Sequence, residues 1–259
     1  MSSASESQQE SVPFGYKNVN RGEKKGMVDN MFSRIADRYD LLNDLMSMGM
    51  HRLWKADLVR SVEVADRPES PPKVVDLAGG TGDVAFLLRS RVQREGKAVS
   101  LSVCDICDKM LSVGKARAEQ QGIHDIQWLR TDGEELPFET ESVDAITISF
   151  GLRNFTSPEK GLKESLRVLK PGGRYYCLEF SRVENPVLRL LYLATSFLWI
   201  PLLGLLVAGD FFSYLYLVMS IQRWPSQEQL RSQMLSVGFS KVGFRNFLFG
   251  VCALHVGVK

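Results

Sequence analysis

The chain has 259 residues, 44% of them hydrophobic and 24% charged, an ordinary globular composition with room for one large domain. Its formal net charge of +2 gives no electrostatic case for a nucleic-acid partner. The scattered cysteines Cys104, Cys107, Cys177 and Cys252 form no disulfide framework. The CxxC pair has Asp105 between its members and no second pair nearby, so no metal site is expected.

Residues 1–12 are polar and poor in apolar side chains, which predicts a disordered tail, followed by a single domain over 13–259. The tail lacks arginine, unlike an intact mitochondrial transit peptide, and has no secretory apolar core. A trimmed presequence would look the same. Over 27–66, Met31, Phe32, Ile35, Tyr39 and Leu42 recur at helical spacing and Leu45 to Trp54 continue the apolar content, which predicts a helical cover before the first core strand. Breaks are expected at Asn43-Asp44 and Gly49, and a Pro-rich linker occupies 67–72.

Val74-Val75-Asp76-Leu77 then runs into a turn with Gly79, Gly80 and Gly82, and a helical pattern follows from Val84. Strand, glycine turn and helix open a doubly wound α/β domain whose turn brings a ligand close to main-chain N–H groups. The spacing is not the G-x-G-x-x-G of a dinucleotide site, which argues against a nicotinamide-dependent oxidoreductase. Asp76 and Asp83 flank the turn. Carboxylates there would repel a pyrophosphate and suit an ammonium or sulfonium group, which points to S-adenosylmethionine. Asp105, near the end of the next strand, is placed to accept from ribose hydroxyls.

Strands at Val99–Cys104, Ile126–Arg130, Val143–Phe150 and Arg174–Phe180 alternate with helices, including one over Lys109–Gln121 and one ending at Lys170–Gly173. Such alternation predicts a mostly parallel sheet with helices on both faces and ligands at the carboxyl ends of its strands. Asp76 with Gly79, Asp105, Asp132 with Gly133, and Ser149 with Arg153 all fall on that edge. From Leu190 to Ala208 there is no charged residue, and Pro201 and Gly204 interrupt the run. The region 187–226 is expected to form two helices, an apolar lid or a surface that touches membrane over 187–218, rather than a span, because no strong basic flank sets an orientation. A helix over Gln227–Val237 and a strand pair, Phe244–Leu248 with Val251–Val256, close the chain.

The stretches Phe14-Gly15-Tyr16, Tyr39-Asp40, His51-Arg52-Leu53-Trp54-Lys55, Asp76–Asp83, Glu135-Leu136-Pro137-Phe138, Ser149–Asn154, Leu169–Gly173 and Glu179-Phe180-Ser181 make the chain similar to the C-methyltransferases of ubiquinone and menaquinone biosynthesis, from about residue 13 to the end. The Phe14-Gly15 opening resembles the mitochondrial ubiquinone branch. The resemblance implies a class I S-adenosylmethionine-dependent fold, Rossmann-like, with Thr81 on the methionine portion, Asp105 on the ribose, Asp132 and Gly133 at the adenine edge and Ser149 by the reactive end. Where the family usually has Asn, this chain has Asp132, which accepts but cannot donate while ionised. The implied substrate is a polyprenylated 1,4-benzoquinol methylated on a ring carbon; a naphthoquinol, or a silent membrane-docked scaffold, are the alternatives. Arg153, just past the fourth strand, is expected to be catalytic, stabilising the phenolate or orienting a water that takes its proton. His51 and His255 lack a visible partner and are read as structural. The resemblance also implies a peripheral place on the matrix side of the mitochondrial inner membrane, a multi-subunit biosynthetic complex and a homodimer.

Overall fold

The computed structural model describes residues 11–14, 17–36 and 39–259. The expected tail therefore lies outside the described residues up to position 10, as do Gly15 and Tyr16. Ser11 and Val12, expected in that tail, instead pair in an antiparallel hairpin of β1 (Ser11–Phe14) and β2 (Lys17–Asn20). Three helices follow: α1 (Arg21–Ile35), α2 (Tyr39–Ser47) and α3 (Met50–Ser61). Asn43 and Asp44 sit inside α2 rather than breaking it. The break comes at Met48 and Gly49, both with positive φ (49° and 75°), where glycine turns at little steric cost.

The rest is an α/β layer structure: β3 (Lys73–Leu77), α4 (Asp83–Arg94), β4 (Ser100–Asp105), α5 (Asp108–Gln120), β5 (Ile126–Arg130), β6 (Val143–Ser149), a 3-10 turn (Leu152–Asn154), α6 (Pro158–Val168), β7 (Leu169–Phe180), α7 (Pro186–Leu203), α8 (Phe211–Arg223), α9 (Gln227–Val237), β8 (Lys241–Phe247) and β9 (Cys252–Val258). The seven-stranded sheet runs β5-β4-β3-β6-β7-β9-β8. Its first five strands are parallel, and β9 is antiparallel to both β7 and β8. The mostly parallel sheet and the closing strand pair are those the sequence predicts. The sheet order reverses at β3, and the carboxyl ends of β3, β4 and β6 open there into a crevice.

Burial on both faces explains the unbroken apolar runs of the central strands. Val74 and Tyr176 join one core cluster with Trp54, Leu58 and Leu88, while Val75 and Tyr175 join the other with Leu162, Leu230 and Met234. Strand β7 begins at Leu169, ahead of the Lys170–Gly173 stretch expected to end a helix. The strand takes up that stretch through an irregularity in its pairing with β6 between Val143 and Ala145.

The apolar region folds as two helices. Asn185 caps α7, accepting from Val187 and Leu188 N–H, and a π-turn over Gly204–Ala208 leads to α8, capped by Asp210. A Cβ at Gly204 would lie 2.1 Å from Tyr214 Cδ2, so glycine alone allows α8 to fold back this closely on α7.

Candidate active site

The turn after β3 is held by backbone that few residues adopt. Ala78, Gly80 and Gly82 have φ of 50°, 55° and 83°, and left-handed backbone at a non-glycine residue such as Ala78 is a strain characteristic of ligand clamps. A Cβ at Gly79 would lie 2.8 Å from Asp76 Oδ2 and 2.9 Å from Val103 Cγ1. Asp105, at the end of β4, is fixed by Gly80 N–H on Oδ2 and Cys107 N–H on Oδ1, both 2.9 Å. Burial pushes its carboxyl up to about 6.

Asp76 is buried with Oδ1 accepting from Thr147 Oγ1 at 2.9 Å, while Oδ2 has no partner among the described residues. Desolvation raises its carboxyl to about 7. Ser149 Oγ is likewise buried and unpartnered. Orphaned buried groups of this kind are costly, and the Asp76 oxygen fits a ligand ammonium.

The structure brings Asp76, Gly79, Thr81, Asp105, Asp132, Gly133 and Ser149 onto the walls of one cavity. Helix α1 crosses it: Val28 and Phe32 line the cavity, and Lys25 Nζ reaches Asp132 Oδ2 at 2.8 Å. The carboxylate at 132 is thus answered by a lysine. Asp83, expected to act on the ligand beside Asp76, also lines the cavity, but its carboxylate is committed to two cations. Burial alone would raise its pKa, but ion pairs with Lys55 (2.9 Å) and Arg117 (3.0 Å) hold it at about 2. Arg117 also bonds Asp40 and donates to Thr81 Oγ1 at 3.1 Å, leaving the Thr81 hydroxyl hydrogen free to donate.

A second cavity of about 460 Å³ adjoins the first between α2, α3, α7 and α8. Arg153 lines it from the 3-10 turn. Its Nη1 donates to Glu179 Oε1 at 2.6 Å and to the Phe150 carbonyl at 2.5 Å, and the guanidinium lies 5.3 Å from the Phe180 ring centroid. Both members of the ion pair are buried, with side chains 6% and 1% exposed. Arg153 Nε has no partner among the described residues. Because Glu179 balances the charge, Arg153 offers a substrate a directed N–H more than a net positive field. His51 also lines this cavity, with Nδ1 2.8 Å from Ser47 Oγ. Burial and then the Lys55 charge lower its pKa to about 4, making it neutral and a weak base. His255 lies on β9 with Nε2 3.0 Å from the Gln227 carbonyl and lines neither cavity.

A model of the ubiE/COQ5 methyltransferase family matches residues 18–259. The chain belongs to that family. Among similar proteins are the ubiquinone/menaquinone biosynthesis C-methyltransferases UbiE of Brucella abortus (strain S19) and Brucella melitensis biotype 2, each 46% identical over 247 residues, 95% of this chain and 90% of the relative. Solved structures share the fold at lower identity. An S-adenosylmethionine-dependent methyltransferase of Thermotoga maritima has a TM-score of 0.60 at 19% identity, covering 89% of this chain and 99% of that one. The [4+2]-cyclase SpnF has a TM-score of 0.63 at 18% identity, covering 90% and 94%. A cyclase on the same fold shows that architecture does not decide the reaction; family membership does so here. This member of the ubiE/COQ5 family is an S-adenosylmethionine-dependent methyltransferase with a class I fold.

Two residues stand in these cavities that sequence reasoning did not assign to them. Lys25 faces Asp132, and Lys55, the last residue of the His51–Lys55 stretch, lines both cavities. That stretch marks the family, but helical periodicity does not reveal that this lysine turns inward.

Proposed function

We propose that this methyltransferase methylates a ring carbon of a 1,4-benzoquinol carrying a polyprenyl tail. The observation that carries the substrate class is the mouth of the second cavity. Met48, Leu198, Trp199 and Leu248 line it, yet are 88%, 71%, 55% and 48% exposed. A tail leaving the cavity there meets an apolar surface continuous with α7. The names of the Brucella relatives support the same reading.

When bound, the cofactor supplies an electrophilic methyl on a sulfonium. The chain's own residues hold the ring and promote loss of a quinol hydroxyl proton, because a neutral arene is a poor carbon nucleophile and its phenolate a good one. Asp76 and Asp105 fix the donor side, Gly79 and Gly133 allow close approach, and Phe150, Phe180 and Trp54 form aromatic walls on the acceptor side. Arg153, held by Glu179 and the Phe150 carbonyl, orients the quinol oxygen or a water beside it. Its guanidinium stays protonated and does not take the proton.

Turnover of a short-chain demethyl benzoquinol under reducing conditions, with mass spectrometry locating the methyl, tests the reading. Methylation on a ring carbon is expected. Cofactor binding without turnover of that quinol would overturn it. A demethyl naphthoquinol belongs in the same assay, because the relatives' names cover both pathways. Arg153→Ala should lower kcat about 10²-fold or more with cofactor affinity intact; full turnover would remove Arg153 from the reaction.

The mitochondrial inner-membrane location rests on the Phe14-Gly15 resemblance, whereas the Brucella relatives are bacterial; fractionation of the tagged protein tests it. The biosynthetic complex and the homodimer rest on the same resemblance and are tested by native mass spectrometry.

A further inference from the structure

The methyl passes from one cavity to the other, so the reacting ring carbon lies where their walls coincide. Phe32, Tyr39, Lys55, Phe150 and Asn154 line both. Three are aromatic and one is a neutral amide. Lys55 is the charged member of this set. Arg153 lines the substrate side but not the cofactor side.

Resting on the quinol reading above, we propose that Lys55 is a second catalytic residue, its ammonium stabilising the quinol phenolate at the junction of the two cavities.

Lys55 is buried on α3 and protonated. Burial disfavours its charge, but Asp83 and then Tyr39 and Asp40 raise its pKa above the ordinary value. Its ion-pair partner Asp83, at 2.9 Å, is shared with Arg117, at 3.0 Å, which Asp40 also answers at 3.0 Å. An ammonium has three donors, and one points at Asp83 Oδ2. The other ionisable neighbours are Asp40 and Tyr39 on α2, His51 on its own helix and Asp76 on β3. In a water-poor site a cation so placed favours the phenolate over the phenol.

The step balances as follows. The quinol O–H breaks and its proton passes to water, leaving the phenolate beside Lys55. The ring carbon then forms a bond to the methyl as the methyl–sulfur bond breaks, with its electron pair remaining on sulfur. Loss of the ring proton to water restores aromaticity, and the phenolate is reprotonated, for a net release of one proton.

The test uses Lys55→Met and Lys55→Arg in the full chain, with cofactor affinity measured by calorimetry as the folding control. The first readout needs no turnover: the ionisation of a prenylated 4-nitrophenol bound with S-adenosylhomocysteine, followed by absorbance against pH. Wild type should ionise the bound probe at a pH lower by about one unit or more than Lys55→Met does, as expected for a cation within about 4–6 Å, with Lys55→Arg near wild type. The second readout is the kcat–pH profile with the demethyl quinol. Lys55→Met should fall about 10²–10³-fold at pH 7 and recover as pH rises and the quinol ionises unaided.

Identical probe titration in wild type and Lys55→Met overturns the proposal. If the probe ionisation depends on Lys55 but wild type methylates no quinol, only the substrate reading fails. If Lys55→Met loses cofactor affinity, the double variant Lys55→Met/Asp83→Asn removes the pair together and carries the same two measurements.

Discussion

Burial lifts the Asp76 carboxyl to about 7 and the Asp105 carboxyl to about 6, because desolvation penalises the charged form by more than the hydrogen bonds each accepts favour it. A raised carboxyl binds its proton more tightly in the folded chain than in the unfolded one. Its contribution to stability is therefore complete below the unfolded value of about 4 and is lost as pH rises through about 7. A ligand ammonium beside Asp76 reverses the preference, since it favours the carboxylate, and cofactor binding then releases a proton. Affinity for S-adenosylmethionine should accordingly weaken as pH falls below 7, by up to about tenfold per pH unit for each carboxyl that must ionise. Asp76→Asn should remove the part that begins near 7, leaving a shallower fall that begins near 6. Titration calorimetry in buffers of different ionisation enthalpy measures both the affinity and the proton count, and a pH-independent Kd between 5.5 and 8 would contradict the assignment.

Among the elements, β5 supports the donor side from behind through one side chain. Trp128 lies across both the start of α4 and the middle of α5. A Cβ would come within 2.6 Å of its ring at Gly82 and 2.4 Å at Gly114, and at Gly114 it would also lie 2.9 Å from the Thr81 carbonyl. Gly114→Val therefore forces either the indole or the cofactor turn to move. Overpacking of this kind costs about 1–3 kcal/mol, and the displaced turn should weaken cofactor affinity as well; thermal unfolding with and without S-adenosylmethionine separates the two effects. Unchanged unfolding and affinity would show that the indole has room to yield.

Much at this scale was legible beforehand. The order of strand, glycine turn and helix and the carboxylates at strand ends are local patterns, and all the expected donor-side residues share one cavity. The helix break was misplaced at Asn43-Asp44 because those residue types tolerate a helix when tertiary packing favours it, as it does where Leu42 is buried in α2. The start of β7 was misplaced because Pro171 and Gly172-Gly173 read as a stop signal, whereas the strand absorbs them in an irregular segment. Lys55 belongs to a family stretch in the sequence, but its role depends on two cavities meeting, which no local pattern encodes.

At the scale of the molecule, the helical run Pro186–Val207 is long and apolar enough to cross a membrane, with a mean hydropathy of 2.1 and 17% of it buried. It nevertheless packs along α8 and α2, one face against the domain that holds the active site. We propose that a helix held this way presents its other face to a bilayer surface. Leu190, Leu191, Leu206 and Phe212 are 70%, 62%, 72% and 66% exposed and line neither cavity described above, so they separate docking from chemistry. Leu191→Glu/Leu206→Glu should leave turnover of a short-chain, water-soluble quinol unchanged. Its partition onto phosphatidylcholine vesicles should fall about tenfold or more, because each exposed leucine gains about 1.5–3 kcal/mol when buried. Turnover of a long-chain quinol dissolved in those vesicles should fall in proportion. Flotation together with the two assays decides the matter: unchanged flotation would remove α7 as the contact surface, whereas lost flotation with full vesicle turnover would mean that the substrate reaches the cavity through water.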